Sequence, residues 1–377
     1  MRRQDLDWLR VIVFAILIFY HVGMFFVPWD FHIKNNVLYH WLVYPMWFVN
    51  QWRLPILFVI SGMGTYYALQ KRSGKAFVWE RIKRLYIPLA FGMAFIIPPQ
   101  VYIERIAKKQ FAGNYFDFWL SDAFSGVYPN GNFSWHHLWF LVYLLLFSLV
   151  LTPIFLYLKN HQITQISLRI EALATKPLGL YAFIIPLFFI ESFIEPFFPV
   201  THALVGDWFT IINYLTLFLF GFLLVNLKEV FWSTVEKNRK YYLILGVINF
   251  SLLLFITHFF EDSVYRHFPE ALIKVVNLWS WILALFGFAS KHLNRNSNAL
   301  KYSNEAVYPF YILHQTVMII VAYYLIDLNW SLGLKSGIMI ISTFGFTWLI
   351  YELLIRRWRF IRPLFGLKNQ NRLNTAT

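Results

Sequence analysis

The chain has 377 residues, of which 59% are hydrophobic and 21% aromatic, more than a soluble domain carries. It contains no cysteine, which excludes disulfides, iron–sulfur clusters, thiolate zinc sites and a cysteine nucleophile. The composition therefore predicts an integral membrane protein, and the net charge of +14 has to be judged by where the charges lie along the chain.

Ten apolar runs predict ten transmembrane helices, because about twenty helical residues are needed to cross the ~30 Å hydrocarbon core. In chain order the runs lie near 8–27, 48–69, 85–103, 137–158, 178–197, 208–227, 241–260, 271–290, 305–326 and 336–355. No soluble domain or repeat is visible between them. We therefore expect an all-α, polytopic membrane fold with a single transmembrane domain over residues 1–377.

Ten helices place both termini on one side of the membrane, and the segments on that side carry most of the basic residues. They hold Arg2, Arg3, Lys71, Arg72, Lys75, Arg81, Lys83, Arg84, Lys228, Lys237, Arg239, Lys240, Arg356, Arg357, Arg359, Arg362, Lys368 and Arg372. The opposite loops are sparse in lysine and arginine, and among the few they hold are Lys34, Arg105, Lys108, Lys109 and Arg266. By the positive-inside rule, this bias predicts cytoplasmic termini and explains the charge without nucleic acid.

The first run contains two residues that are costly inside a bilayer, Arg10 and His21. Eleven helical residues make about three turns and roughly 16 Å, so both side chains should project from nearly the same face. A neutral imidazole can take a proton from a hydroxyl and return it to a leaving group. Asp7 lies one turn before Arg10 and either takes part in the function or simply neutralises that arginine.

The second and third runs add further candidates. Arg53 can hold a sugar oxygen or an anion, or it can extend to lipid headgroups. Ser61 and Gly62 are interpreted as small residues that allow close helix packing. Arg81 and Arg84 lie three residues apart and can bind a phosphate-bearing cytosolic coenzyme, although such clusters also serve topology or bind anionic lipid.

Two further regions hold candidate residues: the loop before the fourth run, and the ninth run itself. Aromatic and asparagine side chains over 114–119 and 130–140 suit carbohydrate, and they equally suit the membrane interface. His136 and His137 would point in different directions on a helix, so we expect no metal site there. Tyr311 and His314 share a helix face and either line the same cavity as His21 or pack in the core.

Taken together, these residues resemble the ten-helix membrane acyltransferases of acyltransferase family three, which decorate extracytoplasmic carbohydrates in bacteria. The resemblance covers most of the chain and rests on five elements: Arg10 and His21 with ten residues between them, residues 53–62, the basic run 80–84, residues 137–141 and residues 311–314. Residues 29–35 further resemble the branch that includes the protein implicated in succinylating osmoregulated periplasmic glucans. Pro55 and Leu57 depart from the usual pattern of the second helix.

The resemblance implies transfer of an acetyl or succinyl group from cytosolic acyl-coenzyme A to a carbohydrate hydroxyl across the bacterial inner membrane. Acyl-coenzyme A would be a co-substrate, with no permanently bound cofactor. Arg10, Arg81 and Arg84 would then bind the coenzyme phosphates. His21, assisted by Arg10 and Asp7, would act as general base or carry the acyl group itself.

The remaining candidates are expected at the substrate. They are Arg53, His137, Trp139, Tyr311 and His314. Of these, Arg53, Tyr311 and His314 can donate hydrogen bonds to a developing oxyanion, and no spacing selects among them.

Two other classes of protein are considered: a transporter or flippase, and a non-enzymatic membrane scaffold. A transporter or flippase for an anionic or lipid-linked sugar can also employ intramembrane arginine and histidine. A membrane scaffold would leave the polar residues of the first run without a purpose. Binding of acyl-coenzyme A distinguishes the acyltransferase from both.

Overall fold

The computed structural model describes residues 3–160, 164–176 and 178–369. Within these ranges the chain forms fourteen α-helices and no sheet. The helices are α1 (Gln4–Met24), α2 (Val43–Lys71), α3 (Gly74–Arg81), α4 (Ile87–Phe91), α5 (Pro98–Ala107), α6 (Tyr115–Ser121), α7 (Trp139–Asn160), α8 (Thr164–Ala174), α9 (Ile184–Phe193), α10 (Trp208–Asn226), α11 (Glu229–Phe259), α12 (Val264–His292), α13 (Asn298–Leu325) and α14 (Leu332–Ile350).

Nine helical segments in the described part of the chain are long and apolar enough to cross a membrane. They are Gln4–Met24, Gly74–Ala107, His136–Lys159, Gly179–Phe197, Trp208–Asn226, Glu229–Phe259, Val264–His292, Asn298–Leu325 and Leu332–Ile355. The remaining predicted run, 48–69, is the second in chain order and lies in α2, which is long enough at 29 residues but carries more polar side chains. The all-α, multi-pass membrane fold is thereby confirmed.

The described residues form two compact units, each assembled from three stretches of chain. The first contains the residues up to Val13, Trp47–Val78 and Leu146–Leu300, and the second contains Phe14–Met46, Trp79–Leu145 and the residues from Lys301 onward. Helix α1 contributes its first turns to the first unit and its last turns to the second. The assignment of one domain to residues 1–377 stays a prediction.

In the first unit, α2 and α10 cross at two glycines. A Cβ atom on Gly62 would lie 1.9 Å from the carbonyl oxygen of Phe218, and one on Gly221 would lie 2.0 Å from that of Val59. Such distances are far below van der Waals contact, so only glycine allows the two backbones to approach this closely. The interpretation of Gly62 as a packing residue is consistent with this crossing.

Replacing Gly62 with alanine should lower the free energy of unfolding by about 1–3 kcal/mol or more, because the added methyl group meets backbone that cannot move aside cheaply. Gly64, two residues along the same helix, has open space around its position and serves as the matched control. Thermal unfolding of the two variants in detergent measures the difference. Equal losses in Gly62→Ala and Gly64→Ala would contradict a specific role for the crossing.

In the second unit, the chain that follows α1 is tied to the end of that helix. Lys34 Nζ donates hydrogen bonds of 2.6 Å to the carbonyl oxygens of Met24 and Val27. Carbonyls at a helix C-terminus lack partners within the helix, so the ammonium group satisfies them. Burial lowers the pKa of Lys34 to about 8, and the nearby carboxylate of Asp30 opposes this shift. The loop 25–42 is therefore held against the end of the helix that carries His21.

Buried apolar side chains complete the core of the second unit around that loop. They come from the end of α1 and the loop after it, and from α5, α13 and α14: Val22, Phe25, Phe26, Ile33, Ile103, Met318, Ile319, Ala322, Leu325 and Met339. Because this core joins α1 to α13, it brings the histidines of these two helices onto facing surfaces.

Candidate active site

The site is centred on a pair of histidines from α1 and α13. His21 Nδ1 lies 2.7 Å from His314 Nε2, and the two rings are nearly parallel, with centroids 5.0 Å apart and an interplanar angle of 13°. His314 is fully buried, whereas His21 is partly exposed. A buried histidine thus holds the ring of a more accessible one.

The neighbours of His314 determine which nitrogens carry the protons. Its Nδ1 atom lies 2.7 Å from the carbonyl oxygen of Tyr311, and a carbonyl can only accept, so Nδ1 must donate. In a neutral ring, Nε2 of His314 is then an acceptor, and His21 Nδ1 donates the bond between the two rings. The lone pair of a neutral His21 is therefore placed on Nε2, the nitrogen a general base would use.

Tyr311 and His137 pack beside this pair. The Tyr311 hydroxyl donates a 2.5 Å hydrogen bond to the carbonyl oxygen of His137, and His137 Nε2 donates to the carbonyl of Ile312 at 3.1 Å. The rings of His137 and His314 meet edge to face, with centroids 5.3 Å apart. The structure therefore brings His21, His137, Tyr311 and His314 together in the second unit.

A chain of buried polar side chains continues from His137. Gln100 Nε2 lies 3.4 Å from His137 Nδ1, Gln315 Nε2 donates to Gln100 Oε1 at 3.0 Å, and Gln315 also lies 3.2 Å from His32 Nε2. His32 Nδ1 in turn contacts a carboxylate oxygen of Glu104 at 2.5 Å. These side chains satisfy one another, as buried polar groups must.

Gln100, Glu104, Gln315 and His32 were not predicted as site residues from the sequence. A usable signal was present for two of them, since Gln100 and Glu104 lie four residues apart in the helix Pro98–Ala107 and so share one face. Among the residues described, no three histidine, aspartate or glutamate side chains are arranged to hold a metal ion.

Arg10 and Asp7 lie in the first unit. Arg10 Nη1 and Asp7 Oδ1 form an ion pair of 3.2 Å across one helical turn, with the arginine side chain 31% exposed. The neutralising contact anticipated between them is present, and the carboxylate also orients the guanidinium. Their roles in catalysis and coenzyme binding stay predictions.

Arg53 is also in the first unit, where it is 4% exposed and donates a 3.0 Å hydrogen bond to Asn50 Oδ1. A side chain so deeply buried does not extend to lipid headgroups, and its expected contact with a sugar oxygen or an anion stays a prediction. Burial lowers the pKa of the neighbouring His202 to about 4; Asp207 opposes this shift and Arg53 adds to it. His202 is therefore neutral at physiological pH.

Arg81 and Arg84 lie in the second unit, at the end of α3 and in the π-helical segment Ile82–Tyr86 that follows it. Arg84 Nε lies 3.3 Å from the carbonyl oxygen of Gly366, and the Tyr308 hydroxyl donates to the backbone carbonyl of Arg84 at 2.8 Å. The Arg84 side chain is 49% exposed, which leaves its guanidinium accessible to an anionic ligand.

Trp139 is 8% exposed and packs edge to face on Tyr143, with ring centroids 5.3 Å apart. This position is in the core at the start of α7. A direct contact between Trp139 and substrate stays a prediction.

Comparison with known proteins identifies the family. The acyltransferase domain family matches residues 3–352. Relatives include glucans biosynthesis protein C of Salmonella schwarzengrund, 22% identical over 371 residues, and that of Salmonella heidelberg, 23% identical over 372 residues. Each alignment covers 94% of this chain and 92% of the relative. No solved structure matches the chain. Because the family match extends over nearly the whole membrane-embedded chain, the protein belongs to the acyltransferase domain family and is a membrane O-acyltransferase.

Proposed function

We propose that this protein transfers an acyl group, acetyl or succinyl, from cytosolic acyl-coenzyme A to a hydroxyl of an extracytoplasmic glucan. The acceptor class is supported by the names of the two Salmonella relatives, which are glucan biosynthesis proteins. The observation that carries the chemistry is the hydrogen bond between His21 and His314, because it presents the basic nitrogen of a partly exposed imidazole.

In the proposed reaction His21 acts as the general base. Its Nε2 atom accepts the proton of the acceptor hydroxyl while the hydroxyl oxygen bonds to the thioester carbonyl carbon. The carbon–sulfur bond then breaks, and the coenzyme thiolate takes the proton from His21, leaving an ester and free coenzyme A. In the alternative course, His21 Nε2 bonds to the thioester carbonyl carbon, and the carbon–sulfur bond breaks to release the coenzyme thiolate. The acceptor hydroxyl oxygen then bonds to the acyl carbon, the carbon–nitrogen bond to His21 breaks, and the hydroxyl proton passes to the thiolate.

His314 is proposed as the positioning residue for His21. Its Nδ1–H is directed at the Tyr311 carbonyl, so its Nε2 accepts from His21 and fixes both the ring orientation and the tautomer of the base. When His21 gains a proton, the same bond stabilises the resulting cation. The expected contact between His314 and the substrate is a separate prediction.

The oxyanion donor is left unassigned. The hydroxyl of Tyr311 already donates to the carbonyl oxygen of His137, so it would have to exchange one bond for another to assist the reaction. Preorganised donors are the effective ones in catalysis because they need no rearrangement at the moment of reaction.

The proposed setting is the bacterial inner membrane, with both termini in the cytoplasm. The nine apolar segments, with α2 as a tenth crossing, and the concentration of lysine and arginine on one side support this orientation. In this arrangement Arg10, Arg81 and Arg84 would bind the coenzyme phosphates from the cytoplasmic side.

Turnover by the purified protein in lipid tests the proposal. Acetyl- and succinyl-coenzyme A are offered separately with a glucan acceptor, and release of free coenzyme A is measured. We expect acceptor-dependent release with one of the two donors. If neither donor binds, the coenzyme-dependent reaction is wrong, and transport or flipping of an anionic or lipid-linked sugar becomes the function to test.

A further inference from the structure

His136 combines two unfavourable features in one residue next to the histidine pair. Its backbone has φ = 36°, in the left-handed region that residues other than glycine rarely adopt. Its Nε2 atom is shielded from solvent, and no hydrogen-bond partner for it is found among the described residues. Strained backbone and unsatisfied buried polar atoms both cost stability and are concentrated at functional sites.

The surroundings of His136 connect it with the active site. Its ring lies 4.5 Å from that of His32 and 4.6 Å from that of Tyr128, measured between centroids. Phe31, the neighbour of His32, stacks on His21 with centroids 6.4 Å apart. The adjacent His137 contacts His314. His136 is therefore separated from the histidine pair by one layer of side chains, in the same unit.

The charge around His136 indicates what kind of ligand it can bind. The carboxylate of Glu104 accepts a hydrogen bond from the Tyr128 hydroxyl at 3.1 Å and contacts His32 at 2.5 Å. The carboxylate is balanced by Lys108 Nζ at 2.7 Å and by the Arg105 guanidinium, 5.7 Å from the centroid of the Tyr128 ring, so a neutral ligand suits these surroundings. A sugar hydroxyl is neutral, and it can donate to or accept from Nε2, so it suits either tautomer of His136.

We propose that His136 Nε2 binds a hydroxyl of the acceptor glucan and so helps to select the acceptor. This inference rests on the proposed function, because it names the acceptor contact of the same site. The left-handed backbone at His136 directs the imidazole where the regular backbone of a helix would not, and the ligand hydroxyl supplies the missing hydrogen bond.

The variant His136→Gly distinguishes the effect of backbone strain on stability from the effect of the imidazole on ligand binding. Glycine removes the imidazole and adopts a positive φ without cost, so the melting temperature should stay level or rise. At the same time, we expect affinity for linear glucose oligosaccharides to fall about tenfold to a hundredfold. Affinity is measured in a His21→Ala background, where no acyl transfer consumes the acceptor. His136→Asn, which tolerates the same backbone and keeps a polar group, should retain more affinity than His136→Gly.

Lys109→Gly is the matched control, since Lys109 is exposed and has φ = 56° in the same unit. It should leave oligosaccharide affinity unchanged. The inference is overturned if His136→Gly binds the oligosaccharide as tightly as the parent protein, or if its melting temperature is lower. Either result would show that His136 is a packing residue, and the proposed reaction would be unaffected. If the His21→Ala parent itself binds no glucose oligosaccharide, the glucan acceptor is wrong and this inference falls with it.

Discussion

His21→Ala is expected to lower the turnover of acyl-coenzyme A in the presence of acceptor by about a hundredfold to ten-thousandfold, the range that general acid–base catalysis contributes. The physical reason is that alanine removes the nitrogen to which His314 assigns the lone pair. Binding of the donor should persist, because the residues expected to bind its phosphates, Arg10, Arg81 and Arg84, are untouched. Release of free coenzyme A by purified protein in lipid measures the rate, and equilibrium binding of the donor measures affinity.

Two further variants make this result specific. His40 is an exposed histidine in the same unit, so His40→Ala should turn over at the rate of the parent protein. For the positioning role of His314, His314→Gln should keep more turnover than His314→Ala, since an amide oxygen can accept the hydrogen bond from His21. Both His314 variants should change kcat more than KM. Unchanged turnover in His21→Ala would remove this residue from the chemical step.

Arg10→Gln is expected to weaken binding of acyl-coenzyme A roughly tenfold to a hundredfold, because a hydrogen bond between charged groups contributes about 1.5–3 kcal/mol. Glutamine keeps a polar but shorter side chain and removes the charge and the guanidinium donors. Equilibrium binding of the donor to the purified protein provides the measurement. Unaltered affinity would mean that Arg10 serves chiefly as the partner of Asp7.

Asp7→Asn separates the two interpretations of the ion pair. If Asp7 only neutralises Arg10, loss of the Asp7 charge should leave turnover near the parent value. The guanidinium of Arg10 would then be more available to phosphate, so the affinity for the donor should stay level or rise. If Asp7 takes part in catalysis, turnover should fall while donor affinity is kept. The 3.2 Å contact makes the two residues coupled, so the double variant Arg10→Gln/Asp7→Asn is needed to measure the pair as a unit.

Several candidate residues stand out in the sequence because they are costly inside a bilayer. Arg10 and His21 interrupt an apolar run, and Tyr311 and His314 share a helix face, so each was visible without knowing its partner. Gln100, Gln315, Glu104 and His32 were missed for the opposite reason. Gln100 and Glu104 share a helix face, but the importance of all four depends on mutual contacts that join segments far apart in the chain.

Arg53 is a further residue whose surroundings could not be predicted from the sequence. A guanidinium near a helix end can extend to headgroups or turn inward, and the local sequence is compatible with both. Burial to 4% exposure and the contact with Asn50 favour the second in the folded protein. Neither observation has a counterpart in hydrophobic periodicity.

The sequence by itself determined the class of protein and the approximate position of its helices, because the thickness of the hydrocarbon core sets the length of an apolar run. Its spaced polar residues also pointed to the acyltransferase family that the comparison identified. Only the tertiary structure decided that His21 pairs with His314, 293 residues away, and that His136 is held in a left-handed backbone beside them. The reason is that periodicity and residue type encode which face of a helix is buried, whereas the hydrogen-bond partner on that face is chosen by how the helices pack.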